Sequence, residues 1–102
     1  MAATQQLQCP YLVAHITTLA PEPFDVIKEI PVVIQPSDDE FLATFFDANV
    51  NASGCTETDA VSNLKDVLVG LFEYLDAQPP SRLGKAPTRQ IAVLRQFVRK
   101  RQ

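Results

Sequence analysis

From Phe24 to Gln35 the apolar side chains Phe24, Val26, Ile30, Val32 and Ile34 recur at alternate positions, and Asp25 and Glu29 fall on the opposite face. That period of two is the signature of a half-buried strand. Lys28 interrupts the apolar face, and Pro31, which has no backbone donor, belongs at an edge or a bulge, so the stretch reads as one strand with an irregular middle. Upstream, Tyr11 to Thr18 is apolar and β-branched enough for another strand, and Ala20-Pro21-Glu22-Pro23 ends it. Pro36-Ser37-Asp38-Asp39-Glu40 has turn composition and leads into the aromatic run Phe41 to Phe46, which makes the pair an antiparallel hairpin. A further short strand is expected through Val50, ending at Gly54.

At Thr56 the period changes. Ala60, Val61, Leu64, Leu68, Leu71, Phe72 and Leu75 follow at steps of three and four, one apolar stripe of a helix that ends near Asp76, ahead of Pro79-Pro80. Thr56 is placed as its N-cap, with Asp59 three residues on as the acidic partner of a capping box; glutamate is the usual residue there, and aspartate is shorter. A second helix is expected over residues 87–100, with Pro87 at its first position and Ile91, Leu94, Phe97 and Val98 on its apolar side. The order predicts an α+β fold: a small antiparallel sheet of about three strands packed under one long helix, followed by a short basic C-terminal helix. Residues 1–10 are polar and without periodicity and are expected to be flexible, which leaves 11–102 as a single domain.

Charge sharpens this picture. Residues 1–80 hold all twelve acids against Lys28 and Lys65, a net of −10, whereas residues 81–102 hold seven bases and no acid, bringing the 102-residue chain to −3. An acidic body with a basic end suggests self-complementarity, within one chain or between sister chains, or a contact with nucleic acid. Arg89, Arg95, Arg99, Lys100 and Arg101 are therefore the candidate residues for a nucleic acid or an acidic partner.

The residues that carry chemistry are sparse. One histidine, His15, sits in a strand-like stretch and reads as a half-buried strand residue. Cys9 and Cys55 have no CxxC spacing and read as independent structural thiols. Asp38, Asp39, Glu40 and Asp47 could in principle hold magnesium, but consecutive acids in a turn are ordinarily solvated turn formers. Three isolated glycines make no phosphate-cradling loop, and no GxSxG occurs. No catalytic residue, metal site or cofactor is expected. The apolar runs are far below the roughly 20 residues that span a bilayer, and the first residues do not resemble a secretory signal, so a cytoplasmic protein that does not engage the membrane is expected.

The segment from Ile30 to Leu75 resembles the HicB-like antitoxin domain, a partial RNase H-like fold. The resemblance rests on the strand Ile30-Pro-Val-Val-Ile-Gln, the acidic turn Asp38-Asp39-Glu40, the strand Phe41-Leu-Ala, and the run Gly54-Cys-Thr56-Glu-Thr-Asp59-Ala60-Val-Ser-Asn63-Leu64-Lys65 entering the helix. The chain departs from the family pattern at Glu40, where a glycine is usual, and at Asp47-Ala-Asn-Val-Asn, which replaces a proline-containing loop. The resemblance implies a non-enzymatic domain that binds and blocks a small, basic, RNA-cleaving toxin. Residues 81–102 are too few for a complete helix-turn-helix reader, so DNA binding ranks below protein binding, and self-association as a homodimer or higher oligomer is expected.

Overall fold

The structure, a computed structural model, describes residues 12–101. Its α+β class and its pairing of a sheet with a long helix agree with the sequence pattern. The main sheet holds four antiparallel strands in the order β1 (Leu12–Ile16), β3 (Ile30–Ser37), β4 (Glu40–Phe45), β5 (Val50–Gly54). Two further strands, β2 (Phe24–Val26) and β6 (Val98–Lys100), pair separately with each other.

The hairpin loops take the conformations their residues favour. Ser37 pairs with Glu40, so the tight β3–β4 loop is Asp38-Asp39 alone, with Asp38 at φ 56°. Phe45 pairs with Val50 around a four-residue loop in which Asn49 stands at φ 57° and donates its amide to the Phe46 carbonyl. Aspartate and asparagine tolerate this left-handed region better than other non-glycine residues.

The long helix α1 (Glu57–Ala77) starts where the sequence places it: the Thr56 hydroxyl accepts the Asp59 amide at 3.0 Å. The return bond from the Asp59 carboxylate does not form, in keeping with its shorter side chain. Ala60, Leu64, Leu68, Val69, Phe72 and Leu75 are buried on one side of the helix, against Ile30, Val32 and Ile34 of β3, Ala43 and Phe45 of β4 and Val50 of β5.

Gly54 has an ordinary negative φ, so the turn does not need it. Close approach does: a Cβ at this position would stand 2.4 Å from the Ala60 amide nitrogen and 2.6 Å from the Asp59 carbonyl carbon. Asn63 then ties the helix to the same strand, donating from its side-chain amide to the Ser53 carbonyl at 2.8 Å.

Two expectations are corrected. The stretch Phe24 to Gln35 is two strands in two sheets. The corner between them is held by the end of the second helix, where the Phe97 carbonyl accepts the Ile27 amide at 2.8 Å and the Lys28 amide at 3.3 Å. A C-terminal helix carbonyl left without an intrahelical donor thus finds two. Pro31 lies in β3 opposite His15, beyond the first β3–β4 pair at Val33, so it has a strand partner on one side only.

The second helix, α2, is Lys85–Phe97 rather than 87–100. Pro87 occupies its third position, still in the first turn, where backbone amides have no intrahelical acceptor and the missing N–H costs nothing. Val98 leaves the helix at φ −135° and ψ 143° because an extended, half-buried partner, Val26, is available opposite it. Two edge-to-face aromatic pairs, Phe24 with Phe72 at 5.2 Å and Phe45 with Phe97 at 5.0 Å, join this outer structure to the core.

Candidate interaction surfaces

The candidate basic residues are all exposed, but they do not form one patch. Arg95 on α2 donates to Asp76 on α1 at 2.7 Å. On β6, Arg99 stands across the strand pair from Asp25, 3.9 Å away, and Arg101 donates from Nε and Nη2 to Asp25 Oδ1 at 3.1 and 2.8 Å. The Arg101 amide extends the ladder to the Pro23 carbonyl at 2.7 Å. Arg89 and Lys100 have no ion-pair partner among the described residues. Three of the five candidates thus neutralise acids of their own chain.

The acids considered for magnesium are separated. Asp38, Asp39 and Glu40 lie at the β3–β4 tip, whereas Asp47 lies beyond the other end of β4, on the order of 20 Å along the strand. Among the described residues no group of three or more His, Cys, Asp or Glu side chains converges on a point that could hold a metal. Cys55 is an exposed free thiol, and Cys9 lies outside the described residues. His15 is exposed rather than half-buried. With Lys28, Glu29 and Asp47 it rims a shallow concavity of about 510 Å³ floored by Pro31 and Phe97, and Lys28 Nζ stands 4.8 Å from the Phe97 ring centroid.

Two surfaces escape a reading of local pattern. The first is the sheet face turned away from α1. Strand register aligns Val13, Val33, Thr44 and Asn51 in one row and Gln35, Leu42 and Ser53 in the next. Neither helix packs across these rows, since α2 contacts α1 and β6 instead. Thr44 is buried in the middle, Val33 and Leu42 are half-buried, and Val13 at the β1 edge is 58% exposed. Round the edge of β1, a groove of about 590 Å³ lined by Leu12, Ala14, Ile34 and Val61 opens toward the first turns of α1.

The second surface is the exposed flank of α1 beside its buried stripe, where Val67 is 41% and Tyr74 64% exposed. The sequence signal was present, because Val67, Gly70 and Tyr74 follow the same three-and-four spacing as the core stripe, but a single apolar stripe satisfies the fold and the second is easily passed over.

These features define an α+β domain whose four-stranded sheet is covered, among the described residues, by a helix on one face. No protein-family model matches the chain, and neither a curated protein nor a solved structure gives a significant match. Among the described residues no helix is long and apolar enough to cross a membrane.

Proposed function

We propose that this chain is a non-catalytic protein-binding domain of the cytoplasm, an antitoxin-like binder of a small RNA-cleaving toxin. The observation that carries the reading is the face of the four-stranded sheet that neither helix covers, with Val13, Val33 and Leu42 across it and, beside it, the β1 edge that no other strand among the described residues pairs with. Antiparallel sheets ordinarily keep a solvated face polar; here Gln35, Thr44, Asn51 and Ser53 follow that rule, and Val13, Val33 and Leu42 set apolar positions among them that a partner can use. A free strand edge adds backbone donors and acceptors that an extended segment can pair with. The resemblance of Ile30 to Leu75 to the HicB-like domain makes a HicA-type ribonuclease the first partner to test. Self-pairing of Arg95, Arg99 and Arg101 favours protein over nucleic acid, because Asp76 and Asp25 offset part of their charge.

The test mixes the purified chain with a HicA-type ribonuclease and measures RNA cleavage and complex formation. Equimolar chain is expected to suppress cleavage, and Val13→Asp or Val33→Asp to restore it while the circular-dichroism melt is retained. Unimpeded cleavage at several-fold excess of the chain rejects the toxin as partner. Magnesium-dependent RNA cleavage by the chain itself, lost in Asp47→Asn, rejects the non-catalytic reading.

A further inference from the structure

The core requires one face of α1, yet the helix carries a second ordered pattern beside it, turned to solvent at the flank where Asn63 meets β5. Stepping 100° per residue, Val67, Gly70 and Tyr74 fall within about 60° of each other. Asp59, Asp66 and Glu73, seven residues apart, form a parallel row beside them within about 40°. All six are exposed. None of the three acids has an ion-pair partner among the described residues; the chain's own arginines reach Asp25 and Asp76 instead.

Gly70 is the informative position. It lies inside a 21-residue helix, where glycine is unfavourable, and a Cβ added there would meet nothing within 4 Å. The fold itself therefore gives no reason for it. A helix laid over the row does, since a missing side chain midway between Val67 and Tyr74 lets a second backbone approach closely and lets both larger residues grip its flanks.

We propose that this face of α1 docks a basic amphipathic helix of a partner protein, with apolar residues against Val67, Gly70 and Tyr74 and lysines or arginines along the acidic row. A second copy of α1 fits poorly. An antiparallel pair centred on Gly70 sets Asp66 of one chain near Glu73 of the other, placing like charges together. Nucleic acid is repelled by the same row. The face is separate from the open sheet surface, so the two docking surfaces succeed or fail independently.

The probe is a synthetic peptide of about 18 residues, long enough for a marginal helix, with leucines at i, i+3, i+4 and i+7 and lysines and arginines along one flank. A scrambled peptide of the same composition and a glutamate-for-lysine version are the controls. Binding to the isotope-labelled chain is followed by chemical-shift changes and fluorescence anisotropy. Shifts are expected at Asn63, Asp66, Val67, Gly70, Glu73 and Tyr74. Gly70→Gln and Tyr74→Asp should each weaken binding by about tenfold or more, as for a central contact. Asp66→Asn with Glu73→Gln should weaken it severalfold at low salt and little at high salt, while Val33→Asp on the sheet should leave it unchanged. Equal binding of the scrambled peptide, shifts confined to the sheet face, or indifference to Tyr74→Asp would overturn the assignment. So would a concentration-dependent dimer of the unliganded chain that Tyr74→Asp dissociates.

Discussion

Arg101 reaches back across 76 residues of sequence to Asp25, its Nε and Nη2 both donating to Oδ1 at 3.1 and 2.8 Å. Arg99, on the neighbouring strand, faces the same carboxylate from 3.9 Å. One acid of β2 thus holds two bases, one in β6 and one just after it, across the β2–β6 pair. The basic C-terminus is consequently part of the domain rather than a free arm.

Both partners are substantially exposed, so the clasp is worth little in itself. Asp25→Ala is expected to lower stability by about 0.5–1 kcal/mol in dilute buffer. Urea denaturation in low and molar salt should show the difference shrinking as salt screens the pairs. A loss well above 2 kcal/mol that salt leaves untouched would mean that Asp25 acts through packing instead.

Because Asp76 and Asp25 offset part of the charge of Arg95, Arg99 and Arg101, the chain should bind nucleic acid less strongly than the seven bases clustered at the end of its sequence suggest. Within residues 81–101, Arg82, Lys85, Arg89 and Lys100 have no ion-pair partner among the described residues, so duplex DNA should bind with a log–log salt slope no steeper than about −4. Fluorescence anisotropy across a salt series measures it. A slope near about −6 would show that the arginines leave their acids for phosphate.

The two glycines of the sheet–helix layer should respond oppositely to alanine. Gly54→Ala pushes a Cβ against the backbone of α1's first turn, which cannot yield without moving the helix, and a loss of about 3 kcal/mol or more is expected. Gly70→Ala meets open space in a helix interior and should stabilise the fold by about 0.5–1 kcal/mol. Thermal melts of the two variants read the contrast directly. A neutral Gly54→Ala would show that β5 and α1 are more loosely packed than described.

Phe97 terminates α2, packs edge-on against Phe45, and places its carbonyl under the Ile27 and Lys28 amides. Phe97→Ala should cost about 3–5 kcal/mol, as expected for a buried aromatic. In Phe97→Leu, amide hydrogen exchange at Ile27, Lys28 and β6 should accelerate before that of β3 and β4, because the corner loses its packing while the central strands keep theirs.

The antiparallel hairpin, the strand ending at Gly54 and α1 with its Thr56 cap were legible because each depends on residues close together in sequence. Alternation over a few positions makes a strand, two aspartates make a tight loop, and a threonine three residues before an acid starts a helix. The division of charge at residue 80 was legible too, and with it the possibility that the chain neutralises itself.

The tertiary structure alone decided where the Phe24–Gln35 stretch breaks, because the Phe97 carbonyl that accepts the Ile27 and Lys28 amides comes from 70 residues away in sequence. It also decided that Val98, which fits the apolar side of a helix, enters a strand opposite Val26 instead. Local propensity does not choose between those fates, since valine serves either; the choice rests on which buried partner the rest of the chain presents. The candidate surfaces were decided in the same way. Periodicity marks a residue as apolar, but only the position of the helices relative to the sheet shows that Val13 and Tyr74 remain uncovered while Val32 and Phe72 do not.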